Sequence, residues 1–237
     1  MGDVRKHRGP HPSDEILFAE PKWRALRTAV SEFSWLLDRG YAVPSSLKLV
    51  GDRHELQERQ RTAVKRSACS TPAMQLRADK CVELSEQSEI WIDGFNLLTT
   101  IEATLSGGVI IVGRDGCYRD MASMHGTYRK VEETRPALEL IGRYVAECGV
   151  GQVRWLLDRP VSNSGRLASV MREVAAEFGW EWDVETVKDP DPVLAECDQV
   201  VVSADSEILN RCQRWANLAA HVCVRTEDPW IVRMGDQ

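Results

Sequence analysis

From residue 89 onward, short apolar runs alternate with amphipathic stretches, and this alternation restricts the fold more than any other feature of the chain. EIWID (89–93), VRWLLD (153–158), WDVETV (182–187), QVVVSAD (199–205) and HVCVR (221–225) have the length and the β-branched and aromatic content of strands buried on both faces. Helical spacing fills 135–148, 165–178 and 206–219. In the second of these, Leu167, Val170, Met171, Val174 and Phe178 make one apolar stripe. The pattern predicts an α/β fold, a mainly parallel sheet with helices on both sides. Residues 107–130 fit it poorly and read as a short strand, a DG turn and a polar segment.

The first 85 residues have a different texture. Residues 1–15 are polar and are expected to be mobile or draped over the surface. From Pro21 to Asp38, Trp23, Leu26, Val30, Phe33 and Leu37 step by three and four along one helical face. A second helix is expected to start near Asp52, where Asp52 and Glu55 have capping-box spacing. It carries Arg53, Arg59, Arg61, Lys65 and Arg66, with Glu55 and Glu58 as available partners. Residues 70–87 read as a connection, so a basic helical domain (1–85) is expected before the α/β domain (86–237). Charge divides the same way. Through Lys80 there are 15 Lys and Arg against 10 Asp and Glu, and the whole chain has 30 against 36. An acidic domain repels a polyanion unless metal ions or a basic surface intervene, and the N-terminal region could supply that surface.

Several function classes are disfavoured. No run approaches the ~20 apolar residues of a membrane span, and the N-terminus lacks a signal-peptide layout, so a cytoplasmic protein is expected. The seven scattered cysteines form no CxxC pair and read as reduced core residues. No P-loop, strand-linked GxGxxG or GxSxG occurs, which argues against a nucleotide cofactor or that type of serine hydrolase. The oligomeric state is left open, a homo-oligomer included.

Three predicted strands end in aspartate: Asp93, Asp158 and Asp205. Asp191 follows a fourth strand. In an open parallel sheet, functional groups gather at the carboxyl ends of the strands. Carboxylates meeting there repel one another, so a cation is the natural compensation, and oxygen-only ligation suits Mg²⁺ or Mn²⁺. Each strand-end aspartate also suits a helix N-cap, Asp93 and Asp205 especially. Glu102, on the helix after DGFN, is a candidate outer carboxylate of the same rim. In DRPVSNSGRL, the residues Ser162, Asn163, Ser164 and Arg166 could hold a phosphate at a helix start, or form an ordinary capped turn. His125 could act as a base or touch substrate beside Arg129, or simply be solvated.

WIDGFNLL resembles the opening strand motif of the PIN-like nucleases, the NYN branch in particular. VKDPDPVLAECDQVVVSADSEIL resembles that branch's later stretch. The likeness implies a three-layer PIN-like domain in which Asp93, Asp191 and Asp205 bind metal and Asn96 positions substrate or water, with Asp158 as a fourth carboxylate. Glu207 stands where the NYN motif often has a second aspartate, and DGCYRD is no part of that pattern. Across nearly its full length the chain also resembles a prokaryotic family of uncharacterised proteins built from two domains of unknown function. HRGPHPSDE, LKLVGDRHELQERQR, IDGFNLLTTIEATLSGG and DRPVSNSGRL carry that likeness. The resulting expectation is metal-dependent phosphodiester hydrolysis, with RNA as substrate and Arg166 and Asn96 orienting the phosphate. A non-catalytic RNA- or protein-binding module and a small-molecule phosphatase are the alternatives.

Overall fold

The computed structural model describes residues 7–86, 88–122 and 128–235. Five helices come first: α1 (Asp14–Leu17), α2 (Glu20–Asp38), α3 (Val43–Arg53), α4 (Glu58–Ser67) and α5 (Thr71–Lys80). Next come β1 (Glu89–Asp93), α6 (Gly94–Leu105), the strands β2 (Ile110–Val112) and β3 (Tyr118–Asp120), and α7 (Thr134–Glu147). The chain continues through β4 (Gln152–Asp158), α8 (Ser164–Phe178), β5 (Trp182–Val187), α9 (Pro190–Glu196) and β6 (Val200–Val202). It closes with α10 (Ser206–Arg211), β7 (Arg214–Trp215), α11 (Leu218–Cys223) and β8 (Ile231–Arg233).

β5-β4-β1-β6-β7 form one sheet whose paired strands are all parallel. The period-two pleat divides its side chains between two cores. Ile90, Ile92, Val153, Trp155, Leu157, Val200 and Val202 face α6, α7, α8 and α11, while Leu156 and Val201 face α9 and α10. The predicted α/β architecture with helices on both faces is therefore observed. A second sheet, β3-β2-β8, packs Val109, Ile111 and Val232 against Leu26, Val30 and Phe33 of α2 and Val64 of α4. The N-terminal helices thus share a core with this small sheet. Among the described residues no helix is long and apolar enough to cross a membrane.

Strand order places the site. From β1 the chain steps outward to β4 and β5, then returns to the other side of β1 for β6 and β7. β1 and β6 therefore flank the topological switch point, where an open parallel sheet leaves a crevice at its carboxyl edge.

Several expected elements differ. HVCVR is not a strand: Leu218, Ala219, Val222 and Cys223 are buried at helical spacing in α11, a short apolar run being ambiguous between the two periods. The helix expected over 206–219 stops at Arg211, and the chain then extends so that β7 can pair with β6 and bury Trp215. Asp52 starts no helix. Pro44 occupies the first turn of α3, and the capping box is Gln57 with Gln60 at α4. The supposed connection at 70–87 contains α5, capped by the Ser70 hydroxyl with Pro72 in its first turn. Residues 7–15 are tied down, since His7 binds Glu133, Arg8 binds Glu102, and buried Asp14 takes both Nε and Nη2 of Arg59. Five of the seven cysteines are buried and all seven are unbridged, as core residues should be.

Candidate active site at the carboxyl edge of the sheet

Asp93 ends β1 and caps α6, its Oδ1 accepting from the Asn96 amide at 3.4 Å. Its Oδ2 accepts from the Ser203 hydroxyl at 2.8 Å. That same hydroxyl accepts from the Asp205 amide at 3.0 Å, and Asn96 Oδ1 accepts from the Ala204 amide at 2.9 Å. The turn after β1 and the loop after β6 are thereby stitched together across the switch point. Gly94 is required at this junction: a Cβ there would lie 2.6 Å from Leu157 Cδ2 and 3.0 Å from the Leu156 carbonyl.

Asp205 caps α10, with Oδ1 accepting from the amides of Glu207 at 2.8 Å and Ile208 at 3.2 Å. Its Oδ2 has no hydrogen-bond partner among the described residues. α9 packs across β4 and β1 and brings Asp191 back from the edge strand β5. The capping duty there falls on Asp189, whose side chain takes the Asp191 amide at 3.2 Å and leaves the Asp191 carboxylate uncommitted. Asp93, Asn96, Asp191 and Asp205 all line one cavity of about 910 Å³. Its opposite wall is α3 and α4, which contribute Lys48, Arg61, Thr62, Lys65 and Arg66.

The carboxylates sense one another. Burial, with added repulsion from Asp191 and Asp205, pushes Asp93 up to about 7, although the Ser203 and Asn96 hydrogen bonds oppose the shift. Asp191 is raised by burial and then by Asp205, Asp189 and Asp158. Among the described residues none of Asp93, Asp191 and Asp205 forms an ion pair. Nor do three carboxylate, imidazole or thiol groups there approach closely enough to form a ready-made cage for an ion.

The remaining candidates divide. Asp158 does not line the cavity. β4 pairs Leu156 with Asp93 and so runs two residues past β1, carrying Asp158 beside Val187 of β5. Its carboxyl is raised by burial and by Asp189, and its Oδ1 is buried without a hydrogen-bond partner. Arg129, Asn163 and Arg166 line a separate cavity of about 370 Å³ with Tyr128 and Lys130. Ser162 and Ser164 line neither cavity; the Ser162 carbonyl accepts from the Tyr128 amide and the Ser164 hydroxyl donates to the Arg159 carbonyl. Arg166 and Asn96 therefore do not share a site. The Asn163 side-chain amide donates to the Tyr128 carbonyl at 2.9 Å, packing that segment on the start of α8 and giving these residues a pocket of their own. Glu102 is not at the rim. It is fully buried and held by Arg8, Tyr128 and Thr134. His125 lies outside the described residues.

Sequence reasoning noted the hydroxyls of SADS and the aspartates Asp115 and Asp120 but assigned no site role to Ser203, Asp120 or the buried cluster behind the site. Asp120 ends β3 and lines the cavity; its Oδ2 accepts from Thr100 at 3.2 Å and its Oδ1 from the Ala122 amide at 2.7 Å. Asp115 is buried between Arg77 and Arg119, at 2.6 and 2.7 Å. Burial works against its ionisation, but the two guanidinium groups hold it at about 2. Those arginines also grip the chain after β6, Arg119 donating to the Ala204 carbonyl at 2.9 Å and Arg77 to the Ser206 carbonyl at 3.4 Å. The YRD triplet at 118–120, a short strand ending in aspartate, was the available signal for Asp120.

Fold and site together define a parallel α/β domain with an acidic carboxyl edge, faced by a helical N-terminal region. The chain belongs to the family described as Domain of unknown function (DUF5616), whose profile matches residues 81–221. A second profile, Protein of unknown function (DUF434), matches residues 25–80. The chain is 31% identical over 187 residues to the uncharacterized protein MJ0935 of Methanocaldococcus jannaschii, covering 78% of this chain and 89% of that one. No solved structure matches it.

Proposed function

We propose that this protein is a divalent-metal-dependent phosphodiesterase acting on RNA, with its chemistry at the cavity floored by Asp93, Asp191 and Asp205. One observation supports the reading: three carboxylates from distant parts of the chain line one cavity, and among the described residues none of the three is paired with a basic side chain. Their oxygen-only chemistry fits Mg²⁺ or Mn²⁺. An open arrangement fits too, because Mg²⁺ keeps several waters and is commonly held by one or two carboxylates plus substrate phosphate. Asp93 and Asp205 would hold the ion, with Asp191 beside them. A bound ion would supply Lewis acidity and neutralise charge at the phosphoryl group.

The protein's own residues prepare that site. Ser203 fixes the Asp93 carboxyl, and Asn96 keeps its side-chain amide group as a donor after its oxygen has bound Ala204. Asp93, poised near neutrality, would give up its proton when a cation enters. Asp158, coupled to Asp189 and Asp191, supports the negative potential from outside the cavity. The likeness of IDGFN and SADS to NYN-type motifs is consistent with this assignment.

Cleavage of end-labelled single-stranded RNA with and without Mn²⁺ tests the proposal. Asp93→Asn should abolish Mn²⁺-dependent cleavage while the far-ultraviolet circular dichroism stays unchanged; equal activity in the variant would remove the mechanism. A binding module without catalysis is the second reading, favoured by the absence of a closed cage and by the exposed Glu207, which does not line the cavity. It expects RNA retention with no turnover under any divalent ion. A panel of phosphate monoesters distinguishes a small-molecule phosphatase.

A further inference from the structure

The charges lining the large cavity are unequally committed. Lys48 and Arg61 are both engaged by Asp52, at 2.6 and 2.9 Å, and Arg119 by Asp115. Elsewhere in the N-terminal region Arg59 is bound to Asp14 and Arg53 to Glu32. Lys65 and Arg66 remain. Among the described residues neither forms an ion pair, although the cavity they line also holds Asp93, Asp120, Asp191 and Asp205. Arg66 donates to the Asp120 carbonyl at 2.6 Å, which holds its guanidinium at the rim and leaves donors over. Opposite charges sharing one cavity ordinarily close on each other. Here Lys65 and Arg66 form no ion pair with those carboxylates, and Glu58, the acid that α4 adds to the lining, lies about two turns from Lys65 at the far end of that helix.

A ligand that is anionic toward α4 and brings a cation toward the sheet satisfies both walls. We propose that Lys65 and Arg66 grip the backbone phosphates of a single-stranded polynucleotide next to the bond presented to the acidic wall. The proposal rests on the phosphodiesterase reading of the same cavity. Successive helical residues leave the axis about 100° apart, which suits this pair to neighbouring phosphates of a strand. Asp93 is only 9% exposed on the cavity floor. A flexible strand can bring a phosphate down to it, whereas the backbone of a rigid duplex meets the walls first. Phe95 is the aromatic residue among those lining the cavity, and it is buried against Tyr128 with ring centroids 5.3 Å apart. Among the described residues no exposed ring lines the cavity to stack a base, so the proposed recognition falls on the backbone without regard to sequence.

The test is fluorescence anisotropy with 5′-labelled U12 and A12 RNA, using the full-length chain carrying Asp93→Asn to prevent turnover, over a tenfold range of KCl. Each phosphate contact on a single strand adds about −0.7 to the slope of log affinity against log salt. Two contacts give about −1.4, roughly a 25-fold loss over that range. Adding Lys65→Gln and Arg66→Gln should flatten the slope by about 1.4 and weaken U12 and A12 alike at low salt. Lys65→Glu alone, at an exposed position where folding is not at risk, should weaken both RNAs as well. Arg53→Gln should leave binding unchanged. An unaltered slope in the double variant, or a loss confined to one RNA, overturns the proposal. Mn²⁺-dependent cleavage by the chain with Asp93 intact is measured alongside. If that chain cleaves RNA while the double variant binds normally, the clamp alone fails; if it cleaves nothing, the phosphodiesterase reading fails.

Discussion

Removing the buried charge at Asp93 should stabilise the metal-free protein, and the size of the effect follows from its surroundings. Burial and the neighbouring Asp191 and Asp205 move this carboxyl from an ordinary 3.8 to about 7. At ~1.4 kcal/mol per tenfold change, the ionised form carries a penalty of about 4 kcal/mol in the folded state. Below about pH 4 the group is protonated in both folded and unfolded chains and contributes nothing. Between about pH 4 and 7 the unfolded chain has lost a proton that the folded chain keeps, so stability falls as pH rises. Above about pH 7 the whole penalty is present. Asp93→Asn is nearly isosteric and never ionises, and its one side-chain oxygen can accept from either the Ser203 hydroxyl or the Asn96 amide, which trims the gain. At pH 8 the variant should gain up to about 4 kcal/mol, which for a chain of this size is about 8–16 °C in melting temperature. Thermal unfolding in EDTA from pH 4 to 9 reads this directly, wild type declining through that window and the variant following a flatter curve. Mn²⁺ should then restore the wild type above pH 7 and leave the variant unmoved. Equal stability of the two proteins at pH 8, or parallel pH curves, would refute the reasoning.

Three further outcomes are expected. Asp115→Asn leaves Arg77 and Arg119 buried without their counter-charge, so it should cost about 3–5 kcal/mol in urea unfolding at pH 7. Because the Asp115 carboxyl is held at about 2, the wild-type advantage should fade only as the pH falls from about 4 to 2. Gly142→Ala would put a Cβ 2.1 Å from the Trp180 ring, so it should cost about 1–3 kcal/mol by overpacking while Mn²⁺ binding is unaffected. Calorimetric Mn²⁺ affinity should rise with pH up to about 7 and level off above it, with proton release detected in buffers of different ionisation enthalpy.

The central sheet was legible because β1 and β4 are apolar runs bounded by clear turn residues; β5, at the sheet edge, buries only Val184 and so departs from the expected burial on both faces. The rim was legible for the same reason: an aspartate closing such a run lands at the carboxyl edge whatever the strand order. Which aspartates share the cavity was not. That depends on the two-residue overhang of β4, which removes Asp158, and on the route of α9, which returns Asp191, and neither leaves a local signature. Partners distant in sequence were hidden likewise. Arg8 meets Glu102 and Arg59 meets Asp14, so a polar N-terminal stretch that looks solvated is fastened down and Glu102 is lost to the interior. The two-residue β7 and the short α11 lie below the length at which periodicity separates strand from helix. Asp120 and Ser203 join the site only because the hairpin and the β6 loop come together in three dimensions.

The most direct test of the account is an anomalous difference map from crystals soaked in Mn²⁺. A peak is expected in the large cavity bounded by the carboxyl groups of Asp93 and Asp205, and its loss in Asp93→Asn crystals. A peak elsewhere, or an empty cavity at saturating Mn²⁺, contradicts it.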